Sequence, residues 1–104
     1  MHNFTELNPD TKLVILWMQK LCRLYGEQIK TRCQETVTML FSENCFDDLE
    51  ELGETIWDDL TSHDRITKPF PPPAIDIHLV EWSEIAEYMV QVLKLELYEF
   101  EFVC

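Results

Sequence analysis

Between residues 41 and 64 the chain carries nine Asp or Glu and no Lys or Arg. Carboxylates at that density can hold a hard cation, act as general acid and base, or dock on a cationic surface. Asp47, Glu51, Glu54 and Asp58 recur four, three and four residues apart, so a helix aligns them in one stripe, with Asp48, Glu50 and Asp59 beside it. Like charges at this spacing destabilise a helix by about 0.2–0.5 kcal/mol per pair. No base within the segment offsets them. Such a run points to a partner that supplies the cations; the alternative is a solvated face that serves solubility. Trp57, next to Asp58 and three residues from Glu54, suits either a core position or an anchoring aromatic ringed by acids.

The other chemistries fit less well. Calcium binding by Asp47, Asp48, Glu50 and Glu51 fails on pattern, because no Gly occupies the sixth position of an EF-hand loop. Cys22, Cys33, Cys45 and Cys104 form no CxxC, and His2, His63 and His78 complete no zinc pattern, so no metal or cofactor is expected. His63, Asp64 and Glu43 have the residue types of an acid–base set, but nothing in the sequence fixes their geometry. Cys45 stands among acids, which raise a thiol's pKa and argue against a nucleophile. The chain reads as a binding protein and not an enzyme.

Net charge strengthens that reading. With 20 Asp and Glu against 8 Lys and Arg, the formal charge is −12. Such a chain repels phosphate backbones, which excludes general binding to nucleic acid and favours a basic protein as partner. The longest early apolar run, residues 13–18, is six residues long, too short for a secretory core or a membrane span. The expectation is a cytoplasmic protein with reduced thiols, Cys22 and Cys33 packed.

Several elements must position these residues. Asn8-Pro9-Asp10-Thr11 reads as a helix cap. Leu13, Val14, Trp17, Leu21 and Leu24 then follow a helical period as far as Gly26. Ile29, Cys33, Val37, Leu40 and Phe41 form a second stripe. Phe46, Leu49, Ile56, Trp57 and Leu60 form a third, with Gly53 as a late start or a break. Pro69, Pro71, Pro72 and Pro73 make residues 65–74 an extended connection. Residues 75–82 alternate as a strand does, Ser83 reads as the cap of a helix with Ile85, Met89, Val92 and Leu93 inward, and residues 95–103 alternate again. Trp17 and Trp82 are assigned to the core.

The expected fold is therefore a single α/β domain over residues 1–104. Three or four helices would cover a two- or three-stranded sheet in which 75–80 and 95–103 pair, and residues 1–19 would form an N-terminal extension. The alternative is a mostly α chain.

Trp57-Asp58-Asp59-Leu60-Thr61, with Glu54 ahead of it, resembles the inhibitory helix of the barstar family, small acidic intracellular inhibitors of a bacterial ribonuclease. Gly26-Glu27-Gln28-Ile29 resembles the segment after that family's first strand, and Leu79-Val80-Glu81-Trp82 its second strand entering a helix. The resemblance covers about residues 26–104. It implies a first strand at 20–25, where periodicity alone reads helix; both readings stand at this point. Charge and resemblance together imply an inhibitor that occludes the basic site of a nuclease or similar enzyme: an immunity protein, an antitoxin, or a nucleic-acid mimic such as an anti-CRISPR protein. Glu54, Trp57, Asp58, Glu51, Asp47 and Asp59 would touch the partner. The alternative is an acidic adaptor or regulatory subunit that docks without inhibiting.

Overall fold

Helix α1 (Pro9–Glu43) begins where the sequence places a cap. Asn8 Oδ1 accepts the Thr11 N–H at 2.9 Å, and the Asn8 carbonyl accepts the Lys12 N–H at 3.1 Å. Pro9 takes the first helical position, where no N–H is needed. The computed structural model describes residues 6–43 and 49–96, without the side chains of 41–43. Tyr25 leaves helical geometry (φ −130°, ψ 34°), so α1 bends where the first two sequence stripes meet. Residues 20–24 are regular helix, so the first strand implied by the barstar resemblance is not there.

On the inner face of α1, Val14, Met18 and Leu21 precede the bend, and Ile29, Cys33 and Val37 follow it. Leu13 and Leu24, expected inward, are exposed. The bend is braced from outside by the proline-rich segment. Trp17 Nε1 donates to the Phe70 carbonyl at 3.1 Å, and the Phe70 ring meets Tyr25 edge-on at 6.4 Å between centroids.

Helix α2 (Leu49–Thr61) runs unbroken through Gly53, and the short α3 (Asp64–Thr67) follows it. Helix α4 (Trp82–Leu93) explains the glycine. A Cβ at Gly53 would collide with the Trp82 carbonyl oxygen and lie 2.9 Å from its carbon. The glycine is therefore the point of closest approach between α2 and α4, which form the most extensive helix pairing in the fold. Leu52, Ile56 and Leu60 of α2 and Ile85, Ala86 and Met89 of α4 are fully buried between them and α1.

Among the described residues there is no strand, so the α/β expectation is overturned and the mostly α alternative fits. Residues 75–80 alternate without pairing. Asp76 Oδ1 accepts the His78 N–H at 3.0 Å and the Asp76 carbonyl accepts the Leu79 N–H at 3.0 Å, which closes a turn over residues 77–79. The short acidic side chain supplies the local bond that a neighbouring strand would have supplied. Ile77 and Leu79 consequently stand 52% and 57% exposed, whereas Val80 and Trp82 are buried.

The second expected strand fails at its start. Lys94 ends α4 in the left-handed region (φ 54°), Leu95 tucks into the core, and the Glu96 backbone is gripped by a side chain. Gln34 Nε2 donates to the Glu96 carbonyl at 3.0 Å and Gln34 Oε1 accepts the Glu96 N–H at 2.8 Å. Residues 97–103 of that expected strand lie outside the described residues. Two finer expectations for α4 also change. Glu81 and not Ser83 is its N-cap, and Val92 is exposed. No described helix is long and apolar enough to cross a membrane.

Candidate functional site

Of the six residues expected to touch a partner, three come together. Glu54, Trp57 and Asp58 form one wall of a notch of about 260 Å³; Ile77, His78 and Trp82 form the other. Glu54 and Asp58 are exposed, four residues and hence about 6 Å apart along α2. Among the described residues no Lys or Arg pairs with either one. Trp57 closes the floor at 8% exposure, packed edge-on against Trp17 at 5.3 Å and tilted against Trp82 at 5.8 Å. It is thus both core and site. Its ring fixes α2 on α1 and α4, and its outer edge faces the notch.

The second wall depends on ties that span most of the chain. The Asn8 side chain, which caps α1 through Oδ1, donates through Nδ2 to the Leu79 carbonyl at 2.7 Å. Thr11, fully buried, accepts the Glu81 N–H on Oγ1 at 2.9 Å. Trp82 Nε1 reaches back to the Ile77 carbonyl at 3.1 Å. The first two bonds tie residues 79–81 to the start of α1, and the third closes residues 77–82 on themselves. Sequence reading assigned Trp82 to the core and Ile77 and His78 to a strand. It could not find Asn8 or Thr11 as positioning residues, because a partner some seventy residues away leaves no local pattern.

The remaining three lie elsewhere. Glu51 is exposed on α2 one turn before Glu54. Asp47 lies outside the described residues. Asp59 faces away from the notch and is held by α1. Arg32 donates to it from Nε at 3.2 Å and from Nη2 at 3.1 Å, a forked pair. His63 Nε2 stands 3.4 Å from the same carboxylate and in contact with Arg32 Nη2. The base missing from residues 41–64 is thus supplied to Asp59 by a different helix. Asp59 is a tie between α1 and α2 and not a free docking group.

Two larger hollows, of about 450 and 620 Å³, lie beside α1, the first between α1 and residues 63–66 and the second, among the described residues, along α1 alone. The first mixes Arg32, His63 and Arg65 with Glu27 and Glu35, so it has no single charge to offer a ligand. Among the described residues no three His, Cys, Asp or Glu converge as a metal site. Cys33 is buried, and desolvation pushes its thiol up to about 12; burial pushes Cys22 up to about 11. Both thiols stay protonated at neutral pH. Cys45 and Cys104 lie outside the described residues. Comparison of the chain with protein-family models, curated proteins and solved structures gave no match.

Proposed function

We propose that this chain is a small acidic inhibitor, not an enzyme, that acts in the cytosol by occluding the cationic site of a basic, nucleic-acid-handling protein such as a nuclease. The observation that carries the reading is the notch: two exposed carboxylates that no Lys or Arg pairs with among the described residues, set beside a buried tryptophan. A carboxylate that keeps a free cation-binding edge on the surface of a −12 chain is poised to replace a phosphate in a partner's site. The long-range field would steer the encounter, and Trp57 and the exposed Ile77 would supply apolar area where the two surfaces meet.

The test is capture from the native cell with the wild-type chain and with a Glu54→Gln/Asp58→Asn variant. The expected partner is basic, is retained by the wild type, is lost with the variant, and loses its own activity when the purified chain is added back at equal concentration. A partner captured equally by both would move the site off α2. One captured through this face with its activity intact would replace inhibition by the adaptor role.

A further inference from the structure

We infer that the outward side of the first half of α1 is a second docking surface, and that it takes an acidic amphipathic helix from another protein. It lies on the side of α1 away from α2 and α4, so it is separate from the face proposed above and stands or falls without it. Val14, Met18 and Leu21 turn inward from this stretch of the helix, whereas Leu13, Leu16 and Leu24 turn outward, 41%, 45% and 54% exposed. With Lys20 these leucines recur three, four and four residues apart, which sets them in one stripe. Exposed leucines scattered singly need no explanation, but three on one stripe of one helix do.

Charge selects what covers the stripe. Residues 11–26 contain Lys12, Lys20 and Arg23 and no acid; residues 65–75 contain Arg65 and Lys68 and no acid. The fold ties these two stretches together. Trp17 Nε1 donates to the Phe70 carbonyl at 3.1 Å, and the Phe70 ring meets Tyr25 edge-on. Five of the chain's 8 bases and none of its 20 acids therefore lie in two joined stretches, a grouping that arises only on folding. Lys20, Arg23 and Lys68 are exposed, and among the described residues no carboxylate pairs with Lys20 or Arg23.

The occupant must therefore offer carboxylates and apolar area together. A nucleic acid offers phosphates but nothing for the leucines, and an anionic bilayer repels a chain of −12. A helix with leucines at i, i+3 and i+7 and acids beside them meets both needs. Its leucines pack along the stripe, and its carboxylates reach Lys20 and Arg23. From Leu13 to Leu24 the stripe runs about 16 Å, roughly three turns of such a partner.

The experiment uses the full chain labelled with ¹⁵N and follows its backbone amide resonances in about 150 mM salt. The probes are a blocked helical peptide of leucine and glutamate at that spacing, its counterpart with lysine for glutamate, and vesicles of phosphatidylcholine and phosphatidylserine. The glutamate peptide should shift the resonances of residues 12–24 and leave those of Glu54 and Asp58 in place; the lysine peptide and the vesicles should leave 12–24 unmoved. Two exposed double variants, Lys20→Glu/Arg23→Glu and Leu16→Gln/Leu24→Gln, should keep the native melting curve and bind the glutamate peptide about tenfold more weakly. Residues 12–24 unmoved by that peptide, or either variant binding it as tightly as the native chain, would overturn the inference. Equal shifts with the vesicles would assign the face to lipid, and shifts on concentrating the chain alone would assign it to a second copy; each would overturn the assignment to another protein's helix.

Discussion

Replacing Gly53 by alanine adds one methyl group at the closest approach of α2 and α4. On helix propensity alone the change should stabilise, by about 1 kcal/mol. The structure reverses the sign. The new Cβ would run into the Trp82 carbonyl oxygen, with the carbonyl carbon at 2.9 Å and the Cα at 3.3 Å. These are backbone atoms, so no rotamer change relieves the contact. Trp82 must move, and with it the ring that packs on Trp57 and the bond from its Nε1 to the Ile77 carbonyl. Overpacking of this kind costs about 1–3 kcal/mol, and more where backbone is fixed. The expected net loss is about 1–2 kcal/mol, out of the roughly 5–15 kcal/mol typical of a domain. Urea unfolding followed by tryptophan fluorescence and circular dichroism reads the loss directly. A Gly53→Ala chain as stable as the native one, or more so, would refute the close approach and the packing built on it.

Other perturbations have equally definite outcomes. Asp59→Asn should cost about 1 kcal/mol, because its forked bond to Arg32 is only partly shielded, and should leave partner affinity unchanged when measured by calorimetry. Stability should fall between pH 9 and about pH 12, since the Cys33 thiol ionises near 9.0 when exposed by unfolding but near 12 when folded. Its contribution is whole below pH 9, and Cys33→Ala should flatten that alkaline slope in pH-dependent melts. Lys94→Gly should stabilise by about 0.5–1 kcal/mol in urea titration, because a left-handed C-terminal position suits glycine.

Local signals were legible in the sequence and long-range ones were not. The Asn8–Pro9 cap, the inward faces of Ile29, Cys33 and Val37, and the helical stripe through Ile56 and Leu60 follow from bonds and periods that close within a few residues. The alternation at 75–80 misled because period-two patterning cannot tell a paired strand from an extended segment that Asp76 folds back on itself. Gly53 read as a break because its reason, the Trp82 backbone, lies on another helix. For the same reason Asp59 read as a free acid until Arg32 was seen beside it. Glu54, Trp57 and Asp58 were legible as a group on one helix face. The wall opposite them was not, since Asn8 and Thr11 fix it from the far end of the chain.

The most direct measurement is the dissociation constant of the partner complex for two double variants with the same change of charge. Glu54→Gln/Asp58→Asn alters the notch; Glu27→Gln/Glu35→Gln alters acids on the outer face of α1. The notch pair should weaken binding by about 2–5 kcal/mol, a factor of roughly thirty or more, because carboxylates buried against cations leave those cations unpaired when removed. The α1 pair should cost less than about 1 kcal/mol, since exposed acids act mainly through screened, long-range charge. Equal losses for the two pairs, or no loss for the notch pair, would contradict the placement of the binding site on α2.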